Sequence, residues 1–197
     1  MSKKQISYGK GIKPTSAAKV VKHGASEVKV VLKTREVVDK KTGKTKKIHE
    51  KIRVSHKAVE SAIEQVEAHI QEFAKAALRQ MNTMKLKTLS GNVLQATIDN
   101  MGCVHGQKGM LKALANARAD SKSNKVERKD IAIESVVRVV RRELGKGPRI
   151  SGTAGYFFSD WASMCLRKFG KHGFAVAVNA GRHTLQAKDI KVVVGMK

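Results

Sequence analysis

The chain has 197 residues, 41% of them hydrophobic but only 4% aromatic, and carries 40 Lys and Arg against 16 Asp and Glu, a net charge of +24 with an isoelectric point near 10.3. That length suits one large domain or two small ones, and the charge calls for a polyanionic partner, because each phosphate neutralised releases condensed counterions. No 18-residue apolar run and no apolar leader follow Met1, which argues against a membrane span and against secretion.

The charge is uneven: residues 1–54 are net +12, residues 55–104 are neutral, residues 105–149 are net +7 and residues 150–197 net +5. Residues 1–24 hold Lys, Gly and Ser with little periodicity and are expected to form a basic mobile tail. In 25–54, Val28, Val30, Val31, Val37 and Val38 precede a polar stretch from Asp39 to Lys47, and Ile48, Ile52 and Val54 follow it. The turn chemistry around Gly43 suggests a hairpin. A helix over about 25–38 followed by a basic loop is equally open, since the segment lacks Pro.

Residues 55–81 give the clearest element. Val59, Ile63, Val66, Ile70, Phe73, Ala77 and Met81 recur at steps of four and three, on one helix face. Glu60, Glu64, Glu67 and Glu72 lie off that stripe, and Ser55 suits an N-cap. At about 1.5 Å per residue the helix spans roughly 40 Å, too long for a small domain to enclose alone. A short helix over 90–101 carries Val93, Leu94, Ile98 and Met101. Residues 105–129 read as another helix, with Met110, Leu111, Leu114 and Ala117 on its apolar side. Asp120 to Asn124 has linker composition, so the expected domains are 1–24, 25–122 and 131–197, with a linker over 123–130.

The second half repeats the pattern. A short helix over 131–144 points Ile133, Val136, Val137, Val140 and Leu144 inward, with Arg138, Arg141 and Arg142 on a basic side. A loop from Gly145 to Ile150 leads into a second long segment, 152–180, with Phe157, Phe158, Trp161, Met164, Cys165, Phe169, Phe174, Val176 and Val178. Gly170 and Gly173 inside it cost about 1 kcal/mol each relative to Ala, and permit either a close helix crossing or a kink. Residues 187–195 form a last short helix around Ile190, Val192, Val193 and Val194.

Each long segment ends in a similar phrase, Lys85-Leu86-Lys87-Thr88-Leu89 in the first half and Gly181-Arg182-His183-Thr184-Leu185 in the second. Short helix, loop, long helix, loop, short helix, with Arg149-Ile150-Ser151-Gly152 opening the second long helix and Arg182, Thr184 and Asp189 closing it, resembles a core histone. The first half resembles the two-B type through Ser55-His56-Lys57-Ala58 and the basic helix 107–119. Its first short helix is expected to be displaced or remodelled by 25–54. Over 54–197 the chain is similar to the histone doublets of giant DNA viruses, two-B-like then two-A-like; an order ending in a three- or four-type fold fits as well. The resemblance implies an all-α architecture in which two tandem histone folds form an intramolecular pseudo-heterodimer. It also implies a clamp between Arg182 and Asp189 beside DNA. In the first half Leu86 and Val93 stand where that Arg and Asp would be. With the chain ending at Lys197, a C-terminal docking tail is not expected. The acidic patch should be weak, since the second long helix offers only Asp160 beside Arg167, Lys168 and Lys171.

The candidate DNA-binding residues are Lys57, Lys85, Lys87, Thr88, Arg138, Arg141, Arg142, Arg149, Arg182 and Thr184. Arginines in paired loops enter a minor groove facing the protein, and helix starts at Ser55 and Ser151 offer backbone donors to phosphates. Phe157 and Trp161 lie on a helical stripe and read as core. His56, His69, His105, His172 and His183 are scattered, and Cys103 and Cys165 have no metal spacing and read as reduced thiols of an intracellular protein. Gly145-Lys146-Gly147 lacks the ending of a phosphate-binding P-loop. No catalytic constellation stands out, so no enzyme, cofactor, metal or small-molecule ligand is expected. The expected partners are double-stranded DNA and a second histone doublet or pair, with no membrane, and the resemblance places the protein in the virion and in the host nucleus or viral factory. A basic structural RNA-binding protein of ribosomal type and a histone-fold transcription-factor subunit are the competing readings.

Overall fold

The computed structural model describes residues 11–28, 34–38, 45–49, 52–101, 104–123 and 129–195. Its helices are α1 (Pro14–Ser26), α2 (His56–Thr83), α3 (Gly91–Asn100), α4 (Val104–Asp120), α5 (Ile133–Leu144), α6 (Gly152–Asn179) and α7 (Ala187–Gly195). The strands are short: β1 (Thr34–Val38), β2 (Thr45–His49), β3 (Arg53–Val54), β4 (Thr88–Leu89), β5 (Arg149–Ile150) and β6 (Thr184–Leu185). They pair as an antiparallel hairpin, β1–β2, and as two parallel bridges, β3–β6 and β4–β5.

Two compact units result, and neither follows the chain from end to end. One takes residues up to Ala17 with Ile63–Leu166; the other takes Ala18–Ala62 with Arg167–Lys197. The long helices α2 and α6 each supply residues to both units, so the two halves of the chain are interleaved rather than set side by side in sequence.

In the first unit the α2 stripe buries Val66, Ile70, Phe73, Ala77 and Met81, as its spacing predicts. The start of α6 packs on it through aromatic rings. The Phe73 ring lies 5.4 Å from Phe157, 5.9 Å from Phe158 and 5.4 Å from Trp161, in tilted and edge-on arrangements that favour aromatic pairs beyond their buried area. A chain with few aromatics thus gathers four of them in one cluster. Val136, Val139, Val140 and Leu144 of α5, Leu94 and Ile98 of α3 and Leu114 of α4 complete this core. Val139 takes the buried place that the sequence assigns to Val137, which is half-exposed. Helix α4 stops at Asp120, so the expected helix over 105–129 is too long. Lys129, near the end of the expected linker, is an anchor. Its Nζ donates to Asp120 and, at 3.0 Å, to Asp160, and lies 5.8 Å from the Tyr156 ring centre. The central part of that linker, 124–128, lies outside the described residues.

Helix α1, most of which belongs to the second unit, corrects the reading of the N-terminus. Residues 14–24 are not a tail but most of α1, and Ala17, Val20, Val21 and Ala25 are buried. The stripe is narrow because the helix packs through its backbone. A Cβ on Gly24 would come within 2.0 Å of the Arg167 carbonyl oxygen, and one on Gly170 within 2.0 Å of the Val21 carbonyl oxygen. Gly170 therefore serves close crossing, and α6 runs unbroken through it. Glu27, just beyond α1, accepts from Arg167, with Lys171 3.8 Å away. The first short helix is thus present ahead of 25–54, and that segment contains the hairpin rather than a helix over 25–38.

Gly170→Ala should lower stability by about 1–3 kcal/mol, since its methyl meets backbone that a rotamer change cannot move. Gly152→Ala, where no atom lies within 4 Å of the added carbon, should leave the melting temperature within about a degree or two of wild type. Thermal denaturation of the two variants against wild type measures both.

Candidate nucleic-acid interface

The two parallel bridges have the same composition. In the first unit Thr88 pairs with Arg149 and Leu89 with Ile150; in the second Thr184 pairs with Arg53 and Leu185 with Val54. The hydrogen bonds match as well. Arg149 N donates to Lys87 O (2.8 Å) and Ser151 N to Leu89 O (3.0 Å), while Arg53 N donates to His183 O (3.2 Å) and Ser55 N to Leu185 O (3.0 Å). Each bridge joins an Arg-aliphatic-Ser segment from one half of the chain to a Thr-Leu segment from the other. The leucines, Leu89 and Leu185, are fully buried and hold the bridges on the core.

Local chemistry explains why the chain turns there. Helix α2 ends with Leu86 N bonded to Met81 O (2.9 Å) and α6 with Arg182 N bonded to Ala177 O (2.9 Å), closures that need a left-handed residue just before. Gly181 occupies that position at φ 68°, and Lys85 occupies its counterpart at φ 53°. A non-glycine residue there carries strain of order 1–2 kcal/mol, and it sets a cation on the loop. The serines after the bridging arginines cap the long helices: Ser55 Oγ accepts from Ala58 N and Ser151 Oγ from Ala154 N, both at 3.2 Å. Each bridge therefore lies against a helix N-terminus, whose dipole favours an anion.

Around the β4–β5 bridge, Lys85, Lys87, Lys146 and Arg149 are exposed. No Asp or Glu occurs in 84–90 or 145–151. Around the β3–β6 bridge, Arg53, Lys57 and Lys188 are exposed, and Asp189, which follows β6, is buried. Asp189 is already satisfied. Arg182 Nη2 donates to its Oδ1 (2.6 Å), Arg182 Nη1 to its Oδ2 (3.0 Å), and Gln186 N to Oδ2 (2.9 Å). Burial alone would raise the Asp189 pKa, but these donors and the neighbouring Arg182 and Lys188 charges outweigh it and hold the carboxyl below its usual value. The same ion pair raises the Arg182 pKa. Thr184 is half-buried, and its carbonyl also accepts from Arg182 Nη1 at 3.5 Å. In the first half Leu86 is 41% exposed and Val93 fully buried, so no ion pair stands at the corresponding place.

The α5 arginines are placed differently from one another. Arg141, half-buried, donates to Gly145 O (3.2 Å) and to Pro148 O, and so shapes the loop that presents Lys146 and Arg149. Arg142 Nη1 donates to Glu67 Oε2 (2.7 Å), and Glu67 Oε1 also accepts from Ile12 N (2.8 Å). Arg138 lies 3.8 Å from Glu134 one turn away. The structure thus brings Lys85, Lys87, Thr88 and Arg149 together in the first unit, and Lys57, Arg182, Thr184 and Asp189 in the second. Arg53 and Lys146 belong with them and were not singled out from the sequence. The signal was present: Arg53-Val54-Ser55 repeats Arg149-Ile150-Ser151.

Among the described residues no group of three His, Cys, Asp or Glu could hold a metal ion, and no helix is long and apolar enough to cross a membrane. Neither a protein-family model nor a curated protein sequence matches the chain. Among solved structures the chain is similar to the histone from Methanopyrus kandleri, with a TM-score of 0.56, 16% identity, and coverage of 91% of this chain and 90% of that one. Coverage that wide runs through both halves. The fold is all-α and of histone type.

The Arg182–Asp189 pair gives a pH dependence of known sign. The folded pKa of Asp189 lies below its unfolded value, so its contribution to stability is fully present at neutral pH. It is lost as pH falls through the folded value, below about pH 4. Asp189→Asn should be less stable than wild type at pH 7, and the gap between their melting temperatures should shrink as pH falls below about 4. A gap that stays constant or widens on acidification would show that the carboxylate charge does not carry the contact.

Proposed function

We propose that this chain is a DNA-packaging histone doublet that binds duplex DNA largely without sequence preference. The observation that carries the reading is the repeated bridge. Within a histone-type fold, each bridge sets exposed cations beside a helix N-terminus, and the segments 84–90 and 145–151 around the β4–β5 bridge contain no carboxylate. Such a site suits the phosphate backbone, which fixes position without reading bases. Thr88, Thr184 and the exposed Lys57, Lys85, Lys87 and Arg149 are the proposed contacts, joined by Arg53 and Lys146. Arg182 acts from its fixed place on Asp189, Arg141 acts through the loop it holds, and Arg138 and Arg142 flank the first bridge from α5.

The resemblance of 54–197 to doublets of giant DNA viruses supports a further reading. The doublet, two-B-like then two-A-like, assembles with a second doublet or histone pair into nucleosome-like particles, in the virion and in the host nucleus or viral factory. One pair then organises roughly 35 bp, a quarter of the 146–147 bp wrapped by four.

Binding should depend steeply on salt: if about six phosphates are neutralised, log K falls against log salt with a slope near −5. Micrococcal nuclease digestion of complexes on long duplex DNA should leave protected lengths that increase in steps of roughly 35 bp. Protection no better than naked DNA would overturn the reading. Preference for single-stranded RNA at moderate salt would favour the ribosomal-type alternative.

A further inference from the structure

Residues Met84, Lys85, Leu86 and Lys87 follow α2 in a short loop that its own hydrogen bonds hold rigid. Met84 N donates to Gln80 O (3.0 Å), Lys85 N to Asn82 O (3.1 Å) and Leu86 N to Met81 O (2.9 Å), while Lys87 O accepts from Arg149 N (2.8 Å). Two of the side chains on this frame are apolar and solvent-facing. Met84 is 40% exposed and Leu86 41%, two of the four large apolar side chains exposed among the described residues. A single exposed apolar side chain is ordinary. Two within three residues, alternating with Lys85 and Lys87, form a patch.

The surroundings indicate what covers the patch. Lys85, Lys87, Lys146 and Arg149 are exposed around the β4–β5 bridge, and no Asp or Glu occurs in 84–90 or 145–151. An apolar protein surface laid over Met84 and Leu86 would desolvate cations that it cannot pair. The minor groove of duplex DNA answers both features, with sugars along its walls and phosphates along its rims. The second half differs at the matched position. Leu86 stands where Arg182 stands after α6: each follows a left-handed residue, Lys85 or Gly181, and each closes its helix by the same hydrogen bond. Arg182 is held by Asp189, whereas Leu86 offers only an isobutyl group.

We infer that Leu86, with Met84 beside it, is an apolar wedge that enters the minor groove of duplex DNA at the β4–β5 bridge and partly unstacks one base step. The inference rests on the DNA-binding reading and adds to it a residue that selects where the chain sits. Leu and Met are among the side chains that minor-groove proteins insert between base steps. The minor groove, about 6 Å wide, suits one side chain on a loop, whereas the major groove, about 12 Å wide, takes a whole helix or ribbon. The rigid frame matters because the opened step pushes back on the wedge. Pyrimidine–purine steps such as TA open readily, and A-tracts are stiff. The first bridge should therefore settle on a TA step, a preference of deformability that leaves the phosphate contacts free of base reading.

The test is permanganate oxidation of thymine, which rises when a base is unstacked, on a duplex with one TA step between G·C-rich flanks, bound by the full chain. Wild type should make the thymines of that step more reactive than in the free duplex. Met84→Ser combined with Leu86→Ser should lose that reactivity, and Leu86→Met should keep it. Both positions are exposed, so each variant should melt within about a degree or two of wild type. No cation is removed, so the salt slope should not change. Nuclease protection by the wild type without thymine reactivity would overturn the wedge alone. Reactivity that survives in the double serine variant would do the same, and a change in its self-association alongside would assign the patch to a protein partner. No DNA binding by the wild type would overturn the function reading together with the wedge.

Discussion

A 28-residue amphipathic helix cannot bury its own apolar stripe, and this chain contains two of them, α2 and α6. Each is about 42 Å long at 1.5 Å per residue. In the first unit the α2 stripe is covered by the start of α6, with Phe73 set among Phe157, Phe158 and Trp161. In the second, α6 lies against α1 through the Gly24 and Gly170 contacts. Burial of one half by the other produces the interleaved units, and the remaining features follow from it. The parallel bridges can form only because each brings a segment from the first half beside one from the second.

A net charge of +24 opposes any compact state through self-repulsion. The scarce carboxylates are deployed where they offset it inside the fold. Glu67 engages Arg142 and the Ile12 amide, Asp120 and Asp160 share Lys129, Asp189 fixes Arg182, and Glu27 receives Arg167. No acidic side chain lies in the loops of the β4–β5 bridge, where Lys85, Lys87, Lys146 and Arg149 are left for solvent or a polyanion. Lys85 shows the same tendency in its backbone: it accepts a left-handed conformation that Gly181 adopts at no steric cost.

The long helices were legible because a stripe at steps of three and four recurs over several turns, and tertiary packing only reinforces it. The same holds for α3, α5 and α7, to within a few residues. Helix α1 was not legible. Its buried positions include Gly24, and its docking depends on a second glycine, Gly170, far away in sequence. Residues 25–54 were ambiguous because valine runs with one central glycine suit either element, and that ambiguity hid Arg53. The arginines of α5 looked equivalent on a helix face. What separates them is their surroundings: loop carbonyls beside Arg141, Glu67 beside Arg142, and Glu134 one turn away from Arg138.

The central claim is that each half of the chain is completed by the other. Residues 1–122 and 125–197, produced as separate polypeptides and examined by calorimetry and sedimentation, test it most directly. Each alone should lack a cooperative monomeric transition, through exposure of its long-helix stripe. An equimolar mixture should form a one-to-one complex and recover a single transition whose midpoint rises with concentration. Two monomeric halves that each unfold cooperatively, with no association on mixing, would contradict the account.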